Sequence, residues 1–278
     1  MADYKIIDWR LRIPFGSFAE NKIFWDPTFK DSSFYPESAR QFSMDMLFDE
    51  MDEYGVVMGI VPFRKNQDPT QEEEINEIMT RWPDKFKCMA HIDPYVEDPV
   101  GLIDRLIVNG KADIANIEPS QTFIRKPMRA DDEFLYPIYE KCEKENIILN
   151  IAFGGLYTDD LGFYDPAIID HVANDFPDLK MVLTHGGWPY AAGISHVAYR
   201  HPNIYLSPDC YLTTLHPGYQ DFVIAANNLL QDQIVFGSVY PGYSIETTVT
   251  EYLKNGMTEE TLHKVFYENS ARLLGLTE

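Results

Sequence analysis

Short apolar segments alternate with longer amphipathic segments along the whole chain. Residues 147–151 and 181–183 are apolar at nearly every position, a pattern typical of parallel strands that are buried on both faces. The pattern predicts eight strands, at residues 4–8, 55–62, 86–92, 114–118, 147–152, 180–184, 203–207 and 233–237.

Helical periodicity between these strands predicts helices at residues 43–54, 70–82, 99–109, 132–145, 166–175, 217–228, 245–254 and 258–274. Eight strands that alternate with helices over 278 residues predict one (β/α)8 TIM-barrel domain spanning residues 1–278. A doubly wound sheet is the alternative, but the Gly-rich phosphate-binding turn expected after its first strand is missing. Residues 13–42 are predicted to form a long first βα loop near the carboxyl ends of the strands, where barrel active sites lie.

Charge and targeting signals exclude several classes of function. The chain has 44 acidic and 23 basic residues, a formal net charge of −21, which argues against general nucleic-acid binding and against docking on anionic membranes. Residues 1–8 lack the layout of a signal peptide, and no apolar run approaches the roughly 18–20 residues of a membrane helix. Three widely spaced cysteines without a CxxC pair favour reduced thiols. We expect a cytoplasmic protein.

Four motifs occur in an order that is typical of one enzyme family. They are Thr-His-Gly-Gly at 184–187, Phe-Gly-Ser-Val-Tyr-Pro at 236–241, Glu-Asn-Ser-Ala-Arg-Leu-Leu at 268–274, and Tyr-Pro-Ile-Tyr at 136–139 followed by Cys142. Together they resemble the amidohydrolase-related (amidohydrolase 2) family, which includes enzymes like aminocarboxymuconate-semialdehyde decarboxylase. The resemblance covers essentially the whole chain and implies a barrel of the metal-dependent-hydrolase type, assembled as a dimer.

The family's metal ligands are mostly replaced in this sequence. The resemblance implies His-x-His after strand one, a His after each of strands five and six, and an Asp after strand eight. The corresponding residues here are Arg10, Arg12, Ala152, His185 and Val239. Because two of the replacements are permanent cations and one imidazole cannot hold zinc, the sequence predicts that the family metal site is lost and that no cofactor is bound.

The arginines are candidates for anion binding. Arg10 and Arg12 alternate along an extended segment, so both are expected to point into the barrel mouth. Two guanidinium groups there could clamp a carboxylate or phosphate, and Arg64 after strand two could add a third cation. The alternative is that they form salt bridges with neighbouring acids.

The remaining candidates lie at other strand ends. His185 is a plausible general acid or base, and Asp209 or Glu118 could pair with it or complement the arginines. Trp188 and Tyr240 could pack on a substrate. Less strongly placed candidates are His91, Asp93 and His216.

Three functions remain open. The first is a metal-independent enzyme that hydrolyses a small carboxylate-bearing substrate, with non-oxidative decarboxylation as its runner-up, because the family includes decarboxylases. The second is a catalytically silent barrel that binds a small anion or a partner subunit. The third is a metal bound through other groups, namely His91, Asp93, Glu118 or Asp209.

Overall fold

The computed structural model describes residues 4–20, 35–64, 70–121 and 126–276. Its sheet is parallel throughout, and each strand pairs with the next one in the chain. The strands are β1 (Ile6–Asp8), β2 (Val56–Pro62), β3 (Phe86–His91), β4 (Ile114–Ile117), β5 (Ile148–Ala152), β6 (Met181–Thr184) and β7 (Ile204–Ser207). This order, with helices in the connections, is that of a TIM barrel and confirms the predicted fold.

The prediction of an eighth strand at residues 233–237 is wrong, although this segment does close the barrel. Only a single bridge, between Leu206 and Ile234, pairs this segment with β7. The amide of Val235 donates to Leu206 at 2.9 Å, and the amide of Trp9 donates to Phe236 at 2.8 Å, so the segment lies between β7 and β1. The Phe236 amide donates instead to Val265, outside the sheet, which interrupts the ladder.

Helices cover the outside of the sheet. Polar caps mark several of their first turns; Ser43, for example, accepts a hydrogen bond from the amide of Met46. A helix between β6 and β7 was missing from the prediction. The α-helices in the described residues are Ser17–Glu20, Glu37–Arg40, Met44–Tyr54, Gln71–Arg81, Pro99–Ile103, Tyr136–Lys144, Pro166–Asp175, Ala191–Arg200, Tyr219–Asn227, Ile245–Lys254, Glu259–His263 and Asn269–Leu274.

Two predicted helices contain a π-helical turn. Pro99–Ile103 continues into the π-helix Asp104–Val108, and Glu259–His263 continues into Lys264–Glu268 before the last α-helix. Within the predicted first loop, residues 13–42, the described parts include the helices Ser17–Glu20 and Glu37–Arg40, while 21–34 lie outside the described residues. No helix in the described parts of the chain has both the length and the apolarity of a membrane span.

The strands are buried on both faces, as their continuous apolar runs predicted. Every residue of β4, β5 and β6 is buried. One apolar cluster joins the sheet to the helices, and a smaller one, which includes Ile7, Ile60 and Val182, is closed by Ala271 and Leu273 near the end of the chain.

A chain of buried polar side chains crosses the barrel. Asn150 accepts hydrogen bonds at Oδ1 from Thr184 Oγ1 at 2.6 Å and from Trp9 Nε1 at 3.4 Å. It donates to Asn116 Oδ1 at 2.8 Å, and Asn116 donates to the carbonyl of Phe63 at 2.9 Å. Since all four side chains are at most 1% exposed, these bonds satisfy groups that water cannot reach and fix β1, β4, β5 and β6 relative to one another.

Replacing Asn150 with alanine is expected to destabilise the fold strongly. The variant leaves the hydroxyl of Thr184 without its acceptor and Oδ1 of Asn116 without its donor, at a cost of about 2–4 kcal/mol including the cavity. Urea denaturation measures this cost. The matched control is Asn174→Ala on the exposed face of a helix, for which we expect a change of at most about 0.5 kcal/mol. Equal effects of the two substitutions would contradict the role of the buried network.

Candidate active site

Three arginines converge at the carboxyl ends of the first two strands. Leu11 bridges to Tyr240 after β1, so Arg10 and Arg12 flank it on an extended segment and project to the same side. Arg64 follows β2. The exposed fractions are 2% for Arg10, 3% for Arg12 and 6% for Arg64, so three cations are concentrated in a nearly water-free place.

His185 and Asp209 meet at the ends of β6 and β7. The Nδ1 atom of His185 lies 2.9 Å from Oδ2 of Asp209, and the backbone amide of His185 donates to the same oxygen at 3.2 Å. The hydroxyl of Ser207 donates to Oδ1 at 2.7 Å. Nε of Arg10 lies 3.9 Å from Oδ2. Asp209 thus contacts the imidazole and also faces the arginine cluster.

Strained backbone coincides with these strand ends. His185, Asp209 and Val239 have φ values of 71°, 57° and 62°, in the left-handed region that residues other than glycine rarely adopt. Gly237 allows the close approach of Asp209, because a Cβ atom there would lie 2.6 Å from Oδ1. Backbone strain of this kind persists where surrounding contacts fix it, and it clusters at functional sites.

A cavity of about 150 Å³ opens above these groups. Arg10, Arg12, Arg64 and His185 line it, so the structure brings four of the eight candidate site residues to one surface. The rest of the wall is mainly aromatic or apolar and includes Tyr35, Leu156, Tyr157, Tyr211, His216 and Tyr243. The sequence points only weakly to His216 and does not point to the other five, although most of them follow the ends of β5, β7 and the 233–237 segment.

Glu118 and Asp209 stand behind the cavity. Oε1 of Glu118 lies 3.3 Å from Nε of Arg64, and the side chain of Glu118 is 1% exposed. Together with His91 and Asp93, Glu118 lines a separate small pocket. The volume of this pocket, about 10 Å³, is about the space of one water molecule. The two carboxylates therefore act on the cavity through the side chains in front of them.

Trp188 and Tyr240 lie outside the cavity lining. Trp188 stacks on Tyr211 with a centroid distance of 4.6 Å and donates from Nε1 to the carbonyl of Pro217 at 2.9 Å, so it supports the aromatic wall from behind. Tyr240 is fully buried, and its hydroxyl lies 2.7 Å from Oγ of Ser38. Tyr240 thus joins the end of the barrel to the helix Glu37–Arg40.

Burial and the arginines set the protonation state of the site. Burial, together with the charge of Arg10, lowers the pKa of His185 to about 4, although Asp209 opposes both effects. Burial raises the pKa of the Glu118 carboxyl, but Arg64 and the neighbouring cations outweigh it, so the net shift is downward. At neutral pH the site therefore holds a neutral imidazole and an ionised Glu118.

Asp8 is a buried carboxyl beneath the arginines. Its Oδ1 accepts from the amides of Arg10 at 3.0 Å and Ser238 at 2.9 Å, which ties β1 to the segment that closes the barrel. Burial raises its pKa to about 6.

Comparison with known proteins identifies the family. The amidohydrolase family model matches residues 25–276. The chain belongs to the amidohydrolase family. No curated protein matches its sequence. An uncharacterised TIM-barrel protein from Bordetella bronchiseptica is 33% identical, with a TM-score of 0.89 over 98% of this chain and 99% of that chain.

Two decarboxylases share the fold of this amidohydrolase-family chain at low identity. 2,6-Dihydroxybenzoate decarboxylase from Rhizobium is 13% identical, with a TM-score of 0.72 over 98% of this chain and 99% of that one. 5-Carboxyvanillate decarboxylase from Sphingomonas paucimobilis is 14% identical, with a TM-score of 0.71 over 99% of this chain and 100% of that one.

Among the described residues, the side chains at the expected ligand positions do not suit a divalent metal ion. Guanidinium groups and aliphatic side chains stand at four of the five family ligand positions, which leaves His185 alone. Within the described residues, no three histidine, cysteine or carboxylate side chains are arranged to hold a metal ion, and this includes the alternative set of His91, Asp93, Glu118 and Asp209. Neutral or anionic ligands are what such an ion requires, and cations repel it.

His185 is expected to make the folded protein less stable in acid. Its pKa is lowered from 6.5 to about 4, so between these values the unfolded chain binds a proton that the folded protein does not. The free energy of unfolding therefore rises with pH across this window, by on the order of 3 kcal/mol from this group. Below about pH 4 this contribution to stability is lost.

The comparison of wild type with His185→Gln between pH 4 and 7.5 isolates this effect. The raised pKa of Asp8 acts in the opposite direction in both proteins and cancels in the difference. Urea denaturation should show the wild type gaining stability relative to the variant as the pH rises. His196→Gln, at an exposed helix position, is the matched control and should run parallel to the wild type. Parallel curves for His185→Gln as well would contradict the burial of a neutral imidazole.

Proposed function

We propose that this amidohydrolase-family protein is an enzyme that hydrolyses a small carboxylate-bearing substrate without a metal ion. The observation that supports this is the 2.9 Å approach of His185 Nδ1 to Asp209 beside three buried arginines that line one cavity. A water-activating base and an anion clamp are the groups that metal-free hydrolysis requires.

His185 is the general base in this proposal. Asp209 holds the tautomer with its proton on Nδ1, which leaves Nε2 as the acceptor of a proton from water. The imidazole is neutral at pH 7 because burial and Arg10 lower its pKa. A substrate carboxylate bound to the arginines offsets their charge, so it moves the pKa of His185 back toward its ordinary value and makes the base stronger.

The arginines bind the substrate and stabilise the reaction. A guanidinium group can donate two parallel hydrogen bonds to a carboxylate. Arg10, Arg12 and Arg64 are fixed before the substrate arrives, and the site excludes most water, so a negative oxygen that develops next to them is stabilised at low reorganisation cost.

Non-oxidative decarboxylation is the second candidate, favoured by the fold shared with two enzymes named as decarboxylases. It ranks lower for two reasons. Arginines hold a carboxylate in its ionised form and oppose its conversion to neutral CO₂. The carbanion left behind also needs a proton, whereas His185 is unprotonated at neutral pH. A catalytically silent barrel that only binds an anion ranks third. Strained backbone clusters at functional sites, and this protein retains it at His185 and Asp209, which favours a working active site.

Arg10→Ala is expected to weaken anion binding by about 1.5–3 kcal/mol, the scale of a hydrogen bond to a charged group. Isothermal titration with benzoate measures this loss. Arg81→Ala serves as the matched control, because this half-exposed arginine pairs with Glu77 on the surface. An affinity for benzoate that does not change in Arg10→Ala would remove the clamp from the proposal.

His185→Asn is expected to lower the rate of hydrolysis by about 10²–10⁴ while benzoate affinity stays nearly constant. The assay measures acid release from small lactones and amides that also carry a free carboxylate, with CO₂ release followed in parallel. A chelator should leave the wild-type rate unchanged, and His171→Asn should retain full activity. Release of CO₂ with no hydrolysis would move the assignment to decarboxylation.

A further inference from the structure

The hydroxyl of Tyr211 and the imidazole of His185 face the same space at the cavity wall. Both residues line the cavity, and their rings meet edge to face, with centroids 5.7 Å apart and an interplanar angle of 80°. A Cβ atom added at Gly155 would lie 3.2 Å from the hydroxyl oxygen of Tyr211 and 3.2 Å from Cδ2 of His185. These two atoms are therefore at most twice this distance apart, and Cδ2 is bonded to Nε2, the base of the proposed reaction.

The hydroxyl of Tyr211 is available to a ligand. Two other buried tyrosines, Tyr139 and Tyr252, donate to the backbone carbonyls of Ala130 at 2.6 Å and Asp209 at 2.9 Å. Tyr211 is only 5% exposed, yet its hydroxyl makes no hydrogen bond with the part of the chain that the structure describes. Because buried polar groups normally have partners, a group of a ligand in the cavity is the partner that we expect for this hydroxyl.

Tyr211 is a neutral donor beside a neutral base. Burial, together with the nearby Cys210 and Asp209, raises the pKa of Tyr211 above its ordinary value. The phenol therefore keeps its proton at the neutral pH at which the imidazole of His185 is unprotonated. One proton acceptor and one hydrogen-bond donor next to each other are the combination that hydrolysis of an acyl group uses.

The ring of Tyr211 is held before any substrate binds. Trp188 stacks on it with an interplanar angle of 15° and a centroid distance of 4.6 Å. The short 3-10 helix Asp209–Leu212 carries both Tyr211 and Asp209, so one turn positions the hydroxyl and the carboxylate that contacts His185. A donor that is fixed in this way costs little reorganisation when charge develops next to it.

We propose that Tyr211 is a further catalytic residue, whose hydroxyl binds the carbonyl oxygen of the scissile lactone or amide and stabilises the negative charge that develops there. This inference rests on the proposed function, because it takes His185 to be the base and the arginines to bind the substrate carboxylate. A carboxylate is bound most strongly by the charged guanidinium donors. The neutral hydroxyl beside the base then serves the reacting carbonyl.

The reaction has two steps. First, the oxygen of water bonds to the carbonyl carbon while a proton of that water passes to Nε2 of His185. The π electron pair of the carbonyl moves to its oxygen, which accepts a hydrogen bond from Tyr211. Second, the carbonyl re-forms as the C–O bond of the lactone or the C–N bond of the amide breaks, and the leaving atom takes the proton from His185. The product contains one added water, so no other reactant is needed.

Tyr211→Phe tests this role, because it removes the hydroxyl and keeps the ring that stacks on Trp188. With γ-butyrolactone-γ-carboxylate as the substrate, we expect kcat to fall by about 10²–10³, the effect of losing one oxyanion donor, while KM changes little. The affinity for benzoate should stay at its wild-type value, because benzoate carries the carboxylate but no scissile carbonyl.

The thiono form of the same lactone, with sulfur in place of the carbonyl oxygen, gives a second measurement. Sulfur accepts hydrogen bonds poorly, so the preference of the wild type for the oxygen lactone should shrink in Tyr211→Phe. A purely structural role of Tyr211 would slow the reactions of both lactones equally. Tyr199→Phe is the matched control and should keep full activity, since Tyr199 is 57% exposed on the helix Ala191–Arg200.

A wild-type kcat in Tyr211→Phe, or an equal loss with both lactones, would overturn the inference and leave the proposed function standing. If the wild type hydrolyses neither this lactone nor the corresponding lactam, pyroglutamate, the proposed function and the inference fail together.

Discussion

Three guanidinium groups buried in one cavity are the constraint on which the rest of the site depends. Cations that are removed from water are costly unless anions lie nearby. Asp209 and Glu118 supply two of these anions, and each contacts a different arginine. Asp8 lies beneath the same arginines, and its Oδ1 accepts from the Arg10 amide. The buried carboxylates therefore hold the three guanidinium groups together at the cavity wall.

The fold holds these charges in place through the layer directly beneath them. Trp9, Phe63 and Thr184 take part in the buried polar chain, and each one immediately precedes a cavity residue. The position of Arg10, Arg64 and His185 is thus tied to hydrogen bonds that cross the barrel. This arrangement provides the preorganisation that electrostatic catalysis needs, since the charges cannot separate without breaking bonds between strands.

The sequence predicts the features of this arrangement that depend on neighbouring residues, but not those that depend on contacts between distant parts of the chain. Continuous apolar runs predict buried strands, and strand ends locate Arg10, Arg64 and His185, because both features depend on neighbouring residues in the chain. The turn away from the sheet after residue 235 involves a hydrogen bond from the amide of Phe236 to the carbonyl of Val265, which no local pattern encodes. The positions of Tyr240 and Trp188 also involve contacts between residues far apart in the chain. The hydroxyl of Tyr240 contacts Ser38, and Trp188 stacks on Tyr211.

The net charge of −21 and the arginines that line the cavity act on an anionic ligand in opposite directions. Outside the barrel mouth, an approaching anion is repelled by the acidic surface, and this repulsion scales with the charge of the ligand and fades within a Debye length of about 8 Å at physiological salt. A ligand with one negative charge therefore meets a weaker barrier during its approach than a ligand with two. The acidic surface and the buried arginines thus form one electrostatic arrangement, in which the arginines offset the repulsion that the surface exerts on a small anion.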